Sequence, residues 1–181
     1  PPTLLSETYN QSHEPVVDQK EVVGHAVRAC YMYSGMADVA KETKDKPIEK
    51  ACKHLWRNVT EKRMYVTGGI GPTHQNEGFT FDYDLPNETA YAETCASIAL
   101  AQWAHRMFHL DPDSKYINVL ERAIYNGILS GVNLEGDKFF YSNRLSVLPD
   151  EIETNAHGHD IDRQPWFECA CCPTNIVRFL P

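Results

Sequence analysis

The segment DKPIEKACKHLWRNV, residues 45–59, decides the fold class of this sequence. Asp45 and Pro47 suit the first turn of a helix, and the apolar residues after them recur at helical spacing. These apolar residues are Ile48, Ala51, Cys52, Leu55, Trp56 and Val59. The pattern predicts a helix that is buried along one side.

Similar patterns on both sides of this segment predict four further helices. Their bounds are Gln19 to about Lys41, about Thr94 to His109, about Ser114 to Leu129, and a last helix that opens at the cysteine cluster of residues 169–172. Residues 138–143 predict a short strand, which is half of a β-hairpin around residues 135–137. We therefore expect a mainly α-helical protein built as a bundle, a solenoid or a helical toroid.

The composition excludes several classes of partner. The 181 residues carry a formal net charge of -8, and the lysines and arginines are scattered along the sequence. A nucleic-acid-binding surface needs the opposite, which is a cluster of positive charge. No apolar run approaches the roughly 18 residues of a membrane span, and no segment resembles a signal peptide. We expect no nucleic-acid partner, no membrane partner and a cytoplasmic location, and the oligomeric state stays open.

A long connection at residues 65–88 contains the first candidate for catalysis. It is rich in glycine, and Glu77 lies in it beside His74, Gln75 and Asn76. Long loops inside a compact domain are usually functional, so Glu77 is a candidate acid/base, although a solvated loop glutamate is the commoner case. If the first, third and fifth helices point the same way, their N-terminal ends meet on one face, and that face would hold the site.

The cysteine cluster supplies the second group of candidates. Cys171 and Cys172 precede Pro173, a residue that suits the first turn of a helix, and a helix N-terminus favours thiolate over thiol. Glu93 and Cys95 flank Thr94, a good N-cap, and can face the same ligand only where the third helix begins. Together Glu93, Cys95, Cys171 and Cys172 could supply the four donors of tetrahedral zinc.

Other interpretations of these residues stay open. The four donors could form a closed structural zinc site, or the thiols could simply be reduced cysteines. A thiol redox module is disfavoured because no Cys-x-x-Cys motif lies on a βαβ pattern. Cys30 and Cys52 lie on apolar helical faces and are expected to be buried and inert. The tract of His157, His159 and Asp160 could bind a metal, but histidine pairs at a surface usually do not.

Six motifs, in order along nearly the whole chain from about Tyr9, carry a resemblance to a known family. They are GHAVRA at 24–29, MADV at 36–39, YVTGGIG at 65–71, NEGF at 76–79, YAETCAS at 91–97 and CACCPTN at 169–175. The sequence resembles glycoside hydrolase family 127, the β-L-arabinofuranosidases. The resemblance implies an (α/α)6 helical toroid, a zinc site of one glutamate and three cysteines, and retaining hydrolysis of β-L-arabinofuranosides by a cysteine nucleophile.

By position, the resemblance implies specific roles. Cys171 matches the nucleophile and Glu77 the general acid/base, whereas His25 and Tyr141 match residues that contact the sugar. The implied zinc ligands are Glu93, Cys95, Cys171 and Cys172, and the role of Cys169 is open. Residues 1–18 are expected to be a loop or linker, and residues 19–181 a partial (α/α)6 catalytic domain that is truncated at both ends.

The implied chemistry is physically consistent. A retaining glycosidase needs a nucleophile and an acid/base about 5 Å apart, and a thiolate can take the place of the usual carboxylate. The alternative is a helical domain with a purely structural zinc, because a site closed by four protein ligands is typical of structural zinc. The sequence does not identify the arabinofuranoside linkage that is cleaved.

Overall fold

The computed structural model describes residues 6–148 and 161–180. Within these residues the chain forms five α-helices, which are α1 (Ala26–Thr43), α2 (Lys46–Lys62), α3 (Thr94–Leu110), α4 (Ser114–Arg122) and α5 (Cys171–Phe179). A single 3-10 turn, Gln75–Glu77, lies in the long connection before α3. The prediction of a mainly α-helical protein is confirmed. No helix of the described residues is long and apolar enough to cross a membrane.

Helix α2 forms as its sequence predicts. The Asp45 side chain accepts a hydrogen bond from the Ile48 backbone N–H at 2.9 Å, and Pro47 occupies the first turn. This satisfies one of the free N–H groups at the helix start, while proline has none to satisfy. All of the predicted apolar stripe is buried except Ile48, which is partly buried against the same core.

Helix α1 begins later than predicted, at Ala26 rather than Gln19. Gly24 has a φ of +74°, which does not fit a right-handed helix, and His25 caps the helix by accepting a hydrogen bond from the Arg28 N–H. The residues before Gly24 instead pack as turns, in which the Gln11 amide donates to the Val23 carbonyl at 3.0 Å. His25 therefore lies at the end of a helix and not inside one.

Helix α3 lies at the centre of the structure. It packs against α1, α4 and α5, and most of its side chains are buried. Trp103, which is fully buried, contacts the rings of Tyr33 and Trp56 with centroids 4.9 and 5.0 Å apart. This aromatic cluster joins α1, α2 and α3 and fixes the directions in which their N-terminal ends point.

The predicted fourth helix changes its winding after Arg122. It continues as a π-helix over Ala123–Ile128 and ends in a 3-10 turn at Leu129–Gly131, close to the predicted end at Leu129. Gly127 in the π-helix lies against Ser97 of α3, so closely that a methyl group there would come within 2.7 Å of the Ser97 Oγ. The change of winding allows this close approach to the central helix.

The predicted hairpin is present as a short pairing. Asn133 donates to the Lys138 carbonyl at 3.0 Å, and Phe140 donates to the Gly131 carbonyl at 3.1 Å, which is hairpin register. The segment then pairs elsewhere, through isolated bridges of Phe139 with Gln164 and of Ser142 with Glu93. The hairpin thereby reaches the start of α3.

Candidate active site

The N-terminal ends of α1, α3 and α5 meet on one face of the structure. His25 is the N-cap of α1, Glu93 is the N-cap of α3, and Cys171 is the first residue of α5. Ligand atoms of His25, Glu77 and Glu93 all lie within 4.8 Å of one another, as do those of Cys95, Cys171 and Cys172. The three helix starts therefore meet as expected for helices that point the same way. Free backbone N–H groups at these ends favour negative charge.

Two glycines bring His25 and Glu77 together. Gly24 and Gly78 are their chain neighbours, and the Phe79 N–H donates to the Gly24 carbonyl at 2.9 Å. A Cβ on Gly78 would overlap the Gly24 carbonyl oxygen, and a Cβ on Gly24 would overlap the Thr8 carbonyl oxygen. Glycine at position 78 permits the contact that places the α1 N-terminus against the long loop, and glycine at position 24 permits the packing of residues 8–11 against the same turn.

Glu77 is held in an uncommon backbone conformation. Its φ is +49° and that of Asn76 is +65°, a region that residues other than glycine seldom occupy. Ala92, next to Glu93, has a φ of +40°. Strained backbone of this kind clusters at functional sites, because the surrounding structure must offset its cost.

Both carboxylate oxygens of Glu77 accept hydrogen bonds. The His25 Nε2 lies 3.1 Å from Oε2, and the Tyr91 hydroxyl donates to Oε1 at 2.6 Å. Because His25 Nδ1 accepts from the Arg28 N–H, its Nε2 carries the proton and donates. The His25 hydrogen bond and then that of Tyr91 lower the pKa of Glu77, against partial desolvation. The half-buried carboxylate is therefore ionised at neutral pH in the unliganded protein.

Glu93 is buried and incompletely satisfied. It is 4% exposed, and its Oε2 has no hydrogen-bond partner in the described structure. Burial first, and then the charge of Glu77, raises the pKa of Glu93 to about 7. A buried carboxylate oxygen without a donor is costly, and a bound cation would remove that cost.

Three sulfurs lie beside this carboxylate in an arrangement that fits a metal. The Cys172 Sγ lies 3.5 Å from the Cys95 Sγ and 3.6 Å from the Cys171 Sγ. Tetrahedral zinc with bonds of about 2.3 Å would separate its sulfurs by about 3.8 Å. The three sulfurs lie within 4.8 Å of one another. The Glu93 carboxylate is not part of this set, because it groups with His25 and Glu77 instead. The structure thus gives three thiols with one adjacent, partnerless carboxylate oxygen.

Cys171 differs from the other two sulfurs of this group. Cys95 and Cys172 are buried, whereas Cys171 is half-buried and can be reached from outside. Hydrogen bonds from the Cys172 and Cys95 thiols lower the pKa of Cys171 far below its ordinary value. These hydrogen bonds favour the thiolate form of the accessible sulfur.

Cys169 and Tyr141 complete the rim of the site. The exposed Cys169 Sγ lies 3.5 Å from the Cys171 Sγ and 4.0 Å from the Tyr141 hydroxyl, outside the group of three sulfurs. The Tyr141 carbonyl accepts from the Thr94 N–H at 2.8 Å, which fixes Tyr141 at the start of α3. Thr94 is the first residue of α3 and not its cap, because Glu93 takes that position.

The structure brings together all the candidate residues that it describes, and it adds one that the sequence analysis missed. Tyr91 donates to Glu77, and its position two residues before Glu93 is the only signal that could have indicated it. The tract of His157, His159 and Asp160 lies outside the described residues. Cys30 and Cys52 are buried and away from the site, as predicted, and burial raises the pKa of both.

Comparison with known proteins gives consistent matches. The family model of the β-L-arabinofuranosidase GH127 catalytic domain matches residues 3–181. A non-reducing end β-L-arabinofuranosidase of Bifidobacterium longum subsp. longum is 45% identical over 174 residues, which are 96% of this chain and 26% of that protein.

Solved structures agree with these sequence matches. A GH127 β-L-arabinofuranosidase from Geobacillus stearothermophilus T6 superposes with a TM-score of 0.91 at 54% identity, over 96% of this chain and 28% of that one. A second GH127 β-arabinofuranosidase gives a TM-score of 0.85 at 52% identity, over 95% of this chain and 26% of its own. The chain spans about a quarter of the length of these relatives.

Proposed function

Because this chain belongs to glycoside hydrolase family 127, we propose that its protein is a retaining glycosidase that releases L-arabinose from β-L-arabinofuranosides. The observation that carries this proposal is the single face of three helix starts on which the half-buried Cys171 sulfur and the carboxylates Glu77 and Glu93 lie. A retaining mechanism needs a nucleophile and an acid/base on opposite sides of one scissile bond. The chain is proposed to be part of an (α/α)6 toroid.

In the first step, the Cys171 thiolate attacks the anomeric carbon of the arabinofuranoside. The bond from this carbon to the leaving oxygen breaks, and the proton of the Glu77 carboxyl passes to that oxygen. His25, which donates to Glu77 Oε2 in the resting site, can turn its N–H to a sugar hydroxyl when substrate enters. This removes one of the two donors that favour the ionised form of Glu77, as the acid step requires.

In the second step, Glu77 accepts a proton from water, and the water oxygen attacks the anomeric carbon. The carbon–sulfur bond breaks and Cys171 returns as thiolate, so L-arabinose leaves with retained configuration. The Tyr91 hydrogen bond, which remains when His25 has turned to the sugar, favours the ionised form of Glu77 that this base role needs. Negative charge on Glu93 favours the positive charge that the sugar ring develops in both steps.

The donor set fits Zn²⁺, with Glu93, Cys95, Cys171 and Cys172 as the residues that would hold it. Three sulfurs at tetrahedral spacing and a buried carboxylate oxygen without a partner support this assignment. When bound, the ion would keep the thiols deprotonated at neutral pH and offset the charge of the buried Glu93. Tyr141 and His25 line the same face and are proposed to contact the sugar.

A purely structural zinc site is the second candidate. It is favoured by the buried contact of Cys95 with Cys172, which joins α3 to α5. In that case the four donors would hold the two helices together, and catalysis would depend on other residues. The first proposal requires Cys171 for catalysis, whereas the second requires it only as a metal ligand.

The test compares wild type, Cys171→Ser and Cys169→Ser in the intact protein, with p-nitrophenyl β-L-arabinofuranoside as substrate. We expect Cys171→Ser to lose at least about a thousandfold in kcat/KM while its far-UV circular dichroism is unchanged, because a serine hydroxyl is a poor nucleophile here. Cys169→Ser should keep one equivalent of metal and measurable activity. Wild type that binds zinc and cleaves no arabinofuranoside would contradict the proposed function, and full activity of Cys171→Ser would favour the structural site.

A further inference from the structure

Two hydrogen bonds hold the Glu77 side chain, one from His25 and one from Tyr91, and only the second is expected to persist when substrate binds. His25 holds Oε2, but His25 is also the residue proposed to turn toward the sugar. Tyr91 holds Oε1 at 2.6 Å and is only 4% exposed, so it stays in place when substrate enters. The Glu77 side chain itself is 37% exposed and needs such an anchor, because an exposed glutamate otherwise samples several rotamers.

Backbone hydrogen bonds hold Tyr91 between the loop that carries Glu77 and the segment that contains Asn143. Its N–H donates to the Pro72 carbonyl at 3.1 Å, and the next residue, Ala92, donates to the Gly71 carbonyl at 2.9 Å. Pro72 and Gly71 belong to the same loop as Glu77. On the other side, the Asn143 N–H donates to the Tyr91 carbonyl at 3.1 Å. The Tyr91 ring also packs edge-on against His74 with centroids 5.4 Å apart.

We infer that Tyr91 is a positioning residue for the acid/base Glu77, which directs the transferable proton of its carboxyl group to Oε2. The inference rests on the proposed function. The Tyr91 O–H donates to Oε1, so this oxygen is occupied as an acceptor and is the less favourable place for a carboxyl proton. When Glu77 is protonated, the proton is then on Oε2, the oxygen that faces His25 and the entering substrate.

This role predicts a dependence on the leaving group. Protonation of the leaving oxygen matters most when that oxygen is strongly basic, as in an alkyl glycoside, and little when it departs as p-nitrophenolate. Loss of the Tyr91 hydroxyl should therefore impair alkyl glycosides selectively. It should act on kcat more than on KM, because Tyr91 acts through its hydrogen bond to Glu77.

The experiment measures kcat/KM of the intact protein on methyl and p-nitrophenyl β-L-arabinofuranoside for wild type, Tyr91→Phe, Glu77→Gln and Tyr125→Phe. We expect Tyr91→Phe to lose about tenfold to a hundredfold on the methyl glycoside and less than about threefold on the p-nitrophenyl glycoside. Glu77→Gln should show the same selectivity more strongly. The exposed Tyr125→Phe should match wild type.

The ratio of kcat/KM for the methyl glycoside to kcat/KM for the p-nitrophenyl glycoside is unaffected by partial misfolding. An inactive fraction of the protein lowers both values by the same factor. Equal losses on both substrates would overturn the inference and leave the proposed function intact. Wild type that cleaves neither substrate would overturn the proposed function, and the inference with it.

Discussion

Gly78 lies against the carbonyl oxygen of Gly24 with no room between them for a side chain. The contact joins the start of α1 to the loop before α3, and so it sets the 3.1 Å separation of His25 Nε2 and Glu77 Oε2. Neither glycine has a functional group, yet both determine the geometry of the proposed acid/base.

Gly78→Ala should impair activity without removing any reacting group. The new methyl group must displace the Gly24 backbone, which separates His25 from Glu77 and costs about 1–3 kcal/mol of stability. We expect a loss of kcat/KM of at least about tenfold, measured at a temperature where the variant is folded. Gly35→Ala is the control, because nothing lies within 4 Å of a methyl group there. Equal activity of the two variants would contradict this role of Gly78.

Arg63 should be as important to the site as residues inside it. Its buried guanidinium donates to the carbonyls of Val22 at 2.5 Å and Thr80 at 2.8 Å, three residues away from His25 and Glu77 respectively. Arg63→Lys has one nitrogen in place of three, so it cannot keep these bonds together with those to Glu21 and Asp82, and we expect about 2 kcal/mol of destabilisation and reduced kcat/KM. Thermal unfolding and kinetics measure both effects. The exposed Arg57→Lys should change neither, and an unchanged Arg63→Lys would refute the prediction.

Asp82 should contribute stability that is lost in acid. Hydrogen bonds from Lys62 first, and then from Arg63, lower the pKa of Asp82 from 3.8 to about 2. A lowered pKa in the folded state gives stability that is complete above pH 3.8 and disappears as the pH falls toward 2. The side chain is 31% exposed, so solvent limits the effect to about 1 kcal/mol.

The measurement is the difference in unfolding free energy between wild type and Asp82→Asn as a function of pH. This difference should be constant near neutral pH and should shrink below about pH 4, because protonated aspartate and asparagine are then alike in charge. A difference that stays the same down to about pH 2 would exclude the assigned pairing of Asp82 with Lys62 and Arg63.

Cys172→Ala should abolish metal binding and loosen α5. The buried Cys172 sulfur contacts both Cys95 and Cys171, so its loss leaves too few donors for a tetrahedral site. We expect less than one equivalent of zinc by elemental analysis and a lower unfolding temperature. A chelator should lower the unfolding temperature of wild type and have little effect on this variant.

Cys52→Ala is the matched control for the metal experiment. Cys52 is fully buried in the helical core and distant from the three sulfurs. Its removal should cost about 1 kcal/mol through lost packing while metal content stays at the wild-type level. Equal metal content in both variants would exclude Cys172 as a ligand.

The helices were predictable from sequence where the apolar period and the end signals agree. Helices α2 and α3 form close to their predicted bounds, because each has a buried stripe and a clear start. The start of α1 was wrong by several residues, since the periodicity continues through Gly24 although its positive φ stops the helix. The change to π-helical winding after Arg122 was not predictable, because it follows from the contact of Gly127 with α3.

The candidate site, like the fold, has features that the sequence indicated and features that only tertiary contacts decided. Sequence alone identified the residue types that can carry the chemistry, and it indicated that Glu93 and Cys171 lie at helix starts, because capping and proline signals are local. The pairing of Tyr91 with Glu77, the access to Cys171 and the exclusion of Cys169 from the group of three sulfurs depend on contacts between distant segments. Those contacts are set by the packing of α1 and α5 on α3. Tertiary structure decided them because the side chains meet only after the three helices have buried their apolar faces against one another.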